Sequence, residues 1–303
     1  MRLDSSRYTA AIACMSRPFF LDEFEEWIEW HSFIGFEHFF IYDDSENRIL
    51  TETFGCDPRI TFCNFVDHSP RNGTLDLHQT EILSRIMDSI GNCTDWLALI
   101  DDDEFVIAPE NNLHEILNDL KSRDEKGLEI FLKTFGTSDH ESKPPGLVLE
   151  NYLHQSHRFL TKTICNPAAA ISAKRLNSLL YRDGYQPLYI NGQRRVEPVT
   201  SKDLRERMEK PPFGNLWLNH YVTKSNEHFQ MKKDRGCMTK PIKGKTPAGL
   251  PVFDSKWTET KPRRFSKNGP GMTFFDWKTD GGNLLDNFKR WLHGRQADFT
   301  NGN

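Results

Sequence analysis

Four consecutive carboxylates, Asp101 to Glu104, follow the apolar stretch "WLALI" at residues 96–100. The stretch predicts a buried strand, and like charges crowded at its end repel one another unless a cation lies among them. Magnesium and manganese ions prefer the oxygen ligands that carboxylates supply. Because side chains alternate along a strand, we expect Asp101 and Asp103 to point to one side and Asp102 to the other. The pattern predicts a divalent-cation site able to hold a diphosphate, with a solvated turn as the alternative.

Predicted strands and helices alternate along the first half of the chain. Strands are indicated at residues 9–15, 38–44, 59–65, 95–106 and 128–136, and helices at residues 19–35, 75–90 and 112–121. This alternation predicts an α/β fold with a mostly parallel sheet flanked by helices. Ligands of such sheets bind beyond the carboxyl ends of the strands. Because Asp43 and Asp44 also end a predicted strand, we expect two acidic clusters to meet at one crevice.

Prolines divide the second half of the chain into shorter pieces. Further elements are indicated at residues 216–222 (strand), 225–236 (helix) and 283–292 (amphipathic helix). Ser225 is a predicted N-cap of the middle helix, and Gly236 is its predicted stop. Residues 239–270 are rich in Lys, Pro and Gly, which is typical of a loop. We expect one domain at residues 1–237 and an irregular C-terminal extension, residues 238–303, packed on it.

The junction between the predicted strand at residues 216–222 and the predicted helix at residues 225–236 offers further site residues. His220 could complete a metal shell through an imidazole nitrogen, since manganese accepts mixed nitrogen and oxygen ligands. Lys224, beside a helix N-terminus, is typical of a phosphate site. Lys232, Lys233 and Arg235 could neutralise the charge of a leaving group. The alternatives are a structural histidine and a solvated basic face.

The composition of the chain indicates which partners and which cellular location to expect. The 303 residues carry a formal net charge of -4, which argues against nucleic acid as the main partner. No window holds the roughly 18 apolar residues that a membrane-spanning helix needs. The N-terminus is a poor signal peptide, because charged residues precede only a short apolar run. The 6 cysteines lack zinc spacing, so we expect reduced thiols in a cytoplasmic protein.

Five segments, taken in order, resemble the blocks of a known enzyme family. They are "DEFEEWIEWHSFIGFEHFFIYDDSEN", "WLALIDDDEFV", "FGTSDHESKPPGLVLENY", "KTICNP" and "LNHYVTKSNEHFQMKKDRG". The family is glycosyltransferase family 92 with its bacterial relatives, and the resemblance spans about residues 10–237. It implies a GT-A fold, in which a Rossmann-like sheet binds a nucleotide-sugar with the help of a DxD motif and a divalent metal. Characterised members are inverting transferases that use UDP-galactose.

The resemblance also implies roles for individual residues. The nucleotide-sugar-binding residues would be Asp43, Asp44, Asp101 and Lys224, to which the basic helix face adds Arg235, and the metal ligands would be Asp101, Asp103 and His220. Asp101 and Asp103 stand at the DxD positions. Asp101 would lie toward the ribose and the metal, and Asp103 would bind the metal directly. The aspartates of "YDDS" would lie near the uracil and ribose. His220 and Lys224 would face the metal and the diphosphate.

Two departures from the family pattern limit what the resemblance implies. Where the family has a "KNE" block, this chain reads "CMSRPFFLDEF", and the "GSGH" block is "GTSDH", with Asp139 in place of glycine. The identity of the donor is therefore not inherited. An inverting transfer needs a base that takes the proton of the acceptor hydroxyl. The segment "GTSDH" offers Asp139 and His140 for this role. A transfer that retains the stereochemistry of the sugar is the open alternative.

The sequence thus predicts a metal-dependent glycosyltransferase. It would move a sugar from a nucleotide-sugar, UDP-linked, to a hydroxyl of a glycan or glycoconjugate acceptor, with manganese favoured over magnesium. One alternative is a metal-dependent phosphohydrolase or nuclease, although no HxH or HxxxH pattern accompanies the aspartates. The other is a nucleotide-sugar-binding protein without turnover.

Overall fold

The computed structural model describes residues 7–63, 75–90, 92–175, 178–195, 204, 210–235 and 273–301. The strands are β1 (Tyr8–Ser16), β2 (His38–Asp43), β3 (Ile60–Phe62), β4 (Thr94–Leu99), β5 (Glu104–Ile107), β6 (Gly127–Phe135), β7 (His154–Cys165), β8 (Ala170–Arg175), β9 (Ser178–Tyr181), β10 (Leu188–Tyr189), β11 (Trp217–His220) and β12 (Thr273–Phe274). The α-helices are α1 (Leu21–Ile34), α2 (Ile49–Phe54), α3 (Leu75–Ile90), α4 (Leu113–Ser122), α5 (Val148–Asn151), α6 (Asn226–Arg235), α7 (Trp277–Asp280) and α8 (Leu284–Asn301).

Ten of these strands form one mixed sheet, and β8 pairs with β9 in a second. The order in the large sheet is β3-β2-β1-β4-β7-β6-β11-β5, with β10 beside β6 and β12 beside β7. β7 runs antiparallel to β4, β6 and β12, and β5 runs antiparallel to β11, whereas the other pairs are parallel. The prediction of an α/β fold with a mostly parallel sheet flanked by helices is confirmed. The carboxyl ends of β1, β2, β4, β6 and β11 face one edge of this sheet.

The acidic stretch interrupts what the sequence predicts as one strand, residues 95–106. Instead β4 ends at Leu99 and β5 begins at Glu104, with a turn between them in which the Glu104 amide donates to the Asp101 carbonyl (3.1 Å). In the order of the sheet, β7, β6 and β11 lie between the two strands, although the short turn keeps the end of β4 close to the start of β5. The expectation that Asp101 and Asp103 share one side of a strand was therefore wrong. Mutual repulsion of the carboxylates favours the turn, because there Asp101 and Glu104 share one lysine while Asp103 contacts another.

Helix α1 covers the free edge of β5. An edge strand leaves backbone N–H and C=O groups without a strand partner. The indole N–H groups of Trp27 and Trp30 donate to the carbonyls of Glu104 and Val106, each at 2.8 Å. The Val106 amide donates to Nε2 of His31 (3.1 Å), whose Nδ1 lies 2.8 Å from a backbone carbonyl of its own helix. Three side chains of α1 thus hold β5 and, with it, the acidic turn.

These contacts make the stability of the fold depend on a neutral His31. Burial lowers the pKa of His31 to about 3 from an ordinary value of 6.5. Between these values the unfolded chain binds a proton that the folded chain does not, so stability falls as the pH falls. In this range the histidine changes the free energy of unfolding by up to ~1.4 kcal/mol per pH unit. We expect the free energy of unfolding, measured with urea from pH 4 to pH 6.5, to rise less steeply with pH for His31→Gln than for the wild type.

The matched control for this measurement is His293→Gln, because His293 is an exposed histidine of α8. We expect this variant to follow the wild-type dependence of unfolding free energy on pH. Parallel curves for His31→Gln and the wild type would contradict the assigned role of His31.

The end of helix α1 follows from a local signal in the sequence. Gly35 closes α1 with a φ of 114°, a conformation that residues with a β-carbon rarely adopt. At the other end of the chain, Phe288 of α8 packs edge-on against Trp30, with ring centroids 5.1 Å apart. The predicted stop at Gly236 and the Lys/Pro/Gly-rich stretch 239–270 lie outside the described residues. Within the described residues, no helix has the length and apolar character to cross a membrane.

Candidate functional site

The two acidic segments predicted to meet at one crevice do lie together. Ser16, the last residue of β1, connects them. Its hydroxyl donates to Oδ2 of Asp102 (2.7 Å), and its carbonyl accepts from the amide of Asp44 (2.9 Å). The turn is also tied to the end of β11, because the Tyr221 amide donates to the carbonyl of Asp103 (2.8 Å). The carboxyl ends of three strands and the acidic turn therefore form one site.

The first counter-charge of the turn is a lysine from the neighbouring strand β7. Nζ of Lys162 lies 2.8 Å from Oδ2 of Asp101 and 3.1 Å from Oε2 of Glu104. Only 5% of the Lys162 side chain is exposed. Although burial alone lowers its pKa, the two carboxylates hold the pKa of Lys162 above its usual range. A buried ammonium thus neutralises one half of the acidic turn.

Glu104 keeps one oxygen available beside this lysine. The side chain is fully buried, and burial raises the pKa of Glu104 to about 7. Its Oε2 accepts the Asp101 amide at 2.9 Å, whereas Oε1 accepts no hydrogen bond from the described part of the chain. Nδ1 of His220 lies 3.8 Å from that Oε1. An uncommitted carboxylate oxygen and an imidazole therefore face each other inside the site.

The second counter-charge is Lys232 of α6, which contacts Asp103. Its Nζ lies 2.6 Å from Oδ2 of Asp103 and donates to the carbonyl of Val222 at 2.9 Å. Nε2 of His220 lies 3.4 Å from the other carboxylate oxygen. Burial raises the pKa of Asp103, but Lys232 and His220 outweigh it and hold this pKa well below its usual range. For the adjacent Asp102, burial and the charge of Asp103 raise the pKa instead.

Lys224, predicted to face the diphosphate, forms a buried ion pair in the wall of the site. Its ammonium donates to Oε2 of Glu23, the third residue of α1, and both side chains are 5% exposed. Burial lowers the pKa of Lys224, yet Glu23 and the charges of the acidic turn raise it overall. Nδ1 of His228 lies 3.7 Å from the same Glu23 oxygen. Lys224 therefore contributes positive charge to the site from behind its surface.

The first turn of α6 already has partners for its N–H groups. The Asn226 amide donates to the His140 carbonyl (3.0 Å), and the Glu227 amide donates to the Glu141 carbonyl (2.8 Å). The His228 amide donates to the Ser225 hydroxyl (3.1 Å). The predicted N-cap at Ser225 is confirmed. A diphosphate in this site would therefore be bound by side chains, since the helix N-terminus is satisfied within the chain.

Asp139 and His140, the predicted catalytic residues, lie on the loop that caps α6. Asp139 is exposed and has a φ of 64°. Nε2 of His140 lies 3.1 Å from the Asn151 carbonyl, and the ring packs edge-on against Tyr152. The structure thus places both residues beside α6 rather than against the acidic turn. Their catalytic role stays a prediction.

Asp43 ends β2 and Asp44 follows it, and the two carboxylates have different partners. Oδ1 of Asp43 accepts the Ser45 amide at 3.0 Å, and Oδ2 accepts the amide and hydroxyl of Thr51, each at 2.8 Å. Asp43 thereby organises the start of α2. Oδ2 of Asp44 lies 3.9 Å from a guanidinium nitrogen of Arg17. The predicted nucleotide contact Arg235 is the last residue of α6, and its side chain lies outside the described structure.

A narrow cleft of about 20 Å³ opens beside these groups. Its walls carry charges of both signs and two phenylalanines, and the lining residues are Arg17, Pro18, Phe19, Glu23, Phe24, Asp102, Asp103, Lys224, His228 and Lys232. This volume is far below the range of about 300–1,000 Å³ for ligand sites. A diphosphate could therefore enter only if the side chains that line the cleft moved apart.

The predicted metal ligands are brought together only in part. Asp103 and His220 are adjacent, whereas the Asp101 carboxylate accepts hydrogen bonds from Gln79 and Lys162. In the described ranges, no three His, Cys, Asp or Glu side chains form a group that could hold a metal ion. Asp103 lies 3.4 Å from Nε2 of His220, whereas the free oxygen of Glu104 lies 3.8 Å from Nδ1 of the same ring. The two carboxylates therefore face different nitrogens of the imidazole and do not converge on one point.

Sequence reasoning missed Lys162, although a signal for it exists. The stretch "FLTKTIC" at residues 159–165 places one lysine among apolar and β-branched residues that are typical of a buried strand. A lysine in such a strand needs a buried carboxylate as partner. Ser16 and Glu23 carried no comparable signal, because their roles depend on contacts with residues distant in the sequence.

Comparison with known proteins supplies no family for this chain. A scan against family models finds no match, and a search of curated proteins finds none either. The resemblance to glycosyltransferase family 92 is therefore a prediction from the quoted segments. What the described residues establish is an α/β fold whose sheet edge carries an acidic turn neutralised by two lysines.

Proposed function

We propose that this chain is a GT-A glycosyltransferase that moves a sugar from a nucleoside-diphosphate sugar, UDP-linked, to a hydroxyl of a glycan acceptor. One observation carries the proposal: Asp102 and Asp103 line a cleft together with Arg17 and Lys232 at the carboxyl ends of parallel strands. Crevices in this position of α/β sheets are where nucleotides bind. The parallel order β3-β2-β1-β4 supports the same class of fold.

The divalent cation that this reaction class uses would be held by Asp103 and by Nε2 of His220, the two adjacent donors of the site. When bound, manganese or magnesium acts as a Lewis acid toward the diphosphate leaving group. Manganese is favoured because it accepts an imidazole together with carboxylates.

The side chains of the cleft have separate tasks in this proposal. Arg17 and Lys232 bind the diphosphate through charge-assisted hydrogen bonds and stabilise the negative charge that develops on it. Lys162 keeps Asp101 and Glu104 neutralised from beneath the site. The acceptor hydroxyl loses its proton to a base, for which the predicted candidates are Asp139 and His140. A base on the face opposite the leaving group gives inversion.

Binding of nucleoside diphosphates to the full chain tests this proposal. We expect UDP to raise the melting temperature in the presence of manganese, since a ligand of the folded state at 100 times its Kd stabilises by about 2.7 kcal/mol. The effect should disappear in Asp103→Asn. It should persist in Asp119→Asn, where an exposed aspartate of α4 is changed. No stabilisation of the wild type by any nucleoside diphosphate would contradict the proposal.

A further inference from the structure

A second pocket, of about 240 Å³, lies where residues of β12, α7 and α8 meet residues of α5. Its volume is close to the lower end of the range of about 300–1,000 Å³ for ligand sites. The narrow cleft beside the acidic turn measures only about 20 Å³. The second pocket can therefore take a ligand of the size of one sugar ring without rearrangement of its walls.

One wall of this pocket is aromatic and firmly held. Phe275 is fully buried and Trp277 is 8% exposed, whereas Phe274 is 59% exposed. The rings of Phe275 and Trp277 pack edge-on, with centroids 5.1 Å apart. The Trp277 indole donates to the Leu149 carbonyl and the Phe275 amide donates to the Leu153 carbonyl, each at 2.7 Å. The pocket thus offers a preformed apolar surface with one ring open to solvent.

Charged side chains of both signs accompany this wall. Asp276, Lys278 and Asp286 line the pocket and are exposed. The oxygens of Asp276 accept the Lys278 amide (3.0 Å) and the Thr279 hydroxyl (3.1 Å), and each carboxylate oxygen has a second lone pair for another donor. The carboxylates accept hydrogen bonds and the ammonium donates them. Because both signs are present, the rim favours a neutral ligand with hydroxyl groups over an ion.

A sugar ring combines the properties that this pocket matches. A pyranose carries hydroxyls around its edge and C–H groups on its faces. It can therefore pack on an aromatic ring while its hydroxyls exchange hydrogen bonds with charged groups. A mostly apolar pocket in which a few polar groups fix the orientation is the usual form of a small-molecule site.

The loop that carries the predicted catalytic bases lies between this pocket and α6. Nε2 of His140 lies 3.1 Å from the carbonyl of Asn151, the last residue of α5, and the His140 carbonyl accepts the Asn226 amide of α6 (3.0 Å). The Ser138 hydroxyl accepts the amide of Leu153, which lines the pocket (2.8 Å). One side of the loop therefore contacts the walls of the pocket, and the other contacts the helix that reaches the acidic turn.

We propose that this second pocket is a saccharide subsite, which holds one sugar ring of the glycan acceptor while the chain passes the loop at residues 138–141 toward the cleft. The inference rests on the proposed function, because only a glycosyltransferase uses a bound glycan as an acceptor. The subsite binds the acceptor away from the reacting atoms. It therefore contributes equally to the ground state and the transition state, and it sets the KM for the acceptor.

Saturation-transfer difference NMR on the full chain tests the subsite. The probes are the methyl glycosides of glucose, galactose, mannose and N-acetylglucosamine, and we expect at least one to bind with a Kd of about 1 mM. Phe274→Ala should weaken this binding about 2- to 12-fold, which corresponds to the loss of one aromatic contact. Asp286→Ala should also weaken it. Sorbitol, a polyol without ring faces, should not bind.

The matched control is Leu180→Ala, since Leu180 is an exposed apolar residue of β9 outside the pocket. We expect this variant to bind the glycosides like the wild type. In the transfer assay, Phe274→Ala should raise the KM for the acceptor and leave the affinity for UDP unchanged.

The contradicting results separate this inference from the proposed function. No glycoside binding to the wild type, equal binding by Phe274→Ala and Asp286→Ala, or sorbitol binding as tight as that of the glycosides would overturn the subsite. UDP binding would leave the proposed function intact in each of these cases. Glycoside binding that both variants weaken, without any UDP binding to the wild type, would keep the saccharide site and overturn the proposed function together with the acceptor role.

Discussion

Asp103→Asn is expected to lower the rate of the proposed sugar transfer by about 10³-fold, because the cation that we propose for this carboxylate would contribute several kcal/mol as a Lewis acid and each 1.4 kcal/mol is a factor of ten. Asparagine keeps the shape of the side chain but removes the charge that would hold the proposed cation. Its neighbour Lys232 would lose its ion-pair partner at the same time. The measurement is the release of UDP from a panel of UDP-sugars with manganese, first with water and then with glycan acceptors.

Asp119→Asn is the control for this loss of turnover. Asp119 is an exposed aspartate of α4, where it pairs with Arg123 one helical turn away. We expect its turnover to match that of the wild type. A turnover of Asp103→Asn within tenfold of the wild type would show that this carboxylate does not hold the catalytic cation. Circular dichroism of both variants would establish that each is folded.

Lys162→Met is expected to reduce the free energy of unfolding by about 3–5 kcal/mol, the usual cost of removing one partner of a buried ion pair. The change leaves Asp101 and the fully buried Glu104 without their shared ammonium. Urea unfolding at pH 8 is the measurement. The loss should be smaller at pH 5, since burial already raises the pKa of Glu104 to about 7 and the acid form needs no counter-ion.

Two further variants show whether the missing charge causes this loss. Lys162→Met combined with Glu104→Gln removes the ammonium and one carboxylate together, and we expect it to recover much of the lost stability. Lys121→Met removes a lysine that is 56% exposed. Surface ion pairs of this kind contribute about 0–1 kcal/mol, so this change should be small. Equal losses in Lys162→Met and in the double variant would contradict the assigned role of Lys162.

Periodicity and local signals were enough to predict most elements of the fold. Apolar residues at helical spacing predicted α1, α3 and α8, and apolar runs predicted β1, β2 and β6. The stop at Gly35 and the cap at Ser225 depend on contacts within a few residues, so the sequence contains what decides them. Reading residues 95–106 as one strand failed because an apolar run does not reveal where the chain leaves the sheet.

The sequence by itself determined that four carboxylates stand at the end of a buried strand, because that depends only on neighbouring residues. It did not determine their partners. Lys162 and Lys232 lie 61 and 129 residues away from the aspartates they contact. Contacts between residues so distant in the chain are set by the order of strands in the sheet and by the position of α6. Only the tertiary structure therefore decided which lysines pair with the acidic turn and which aspartates line the cleft.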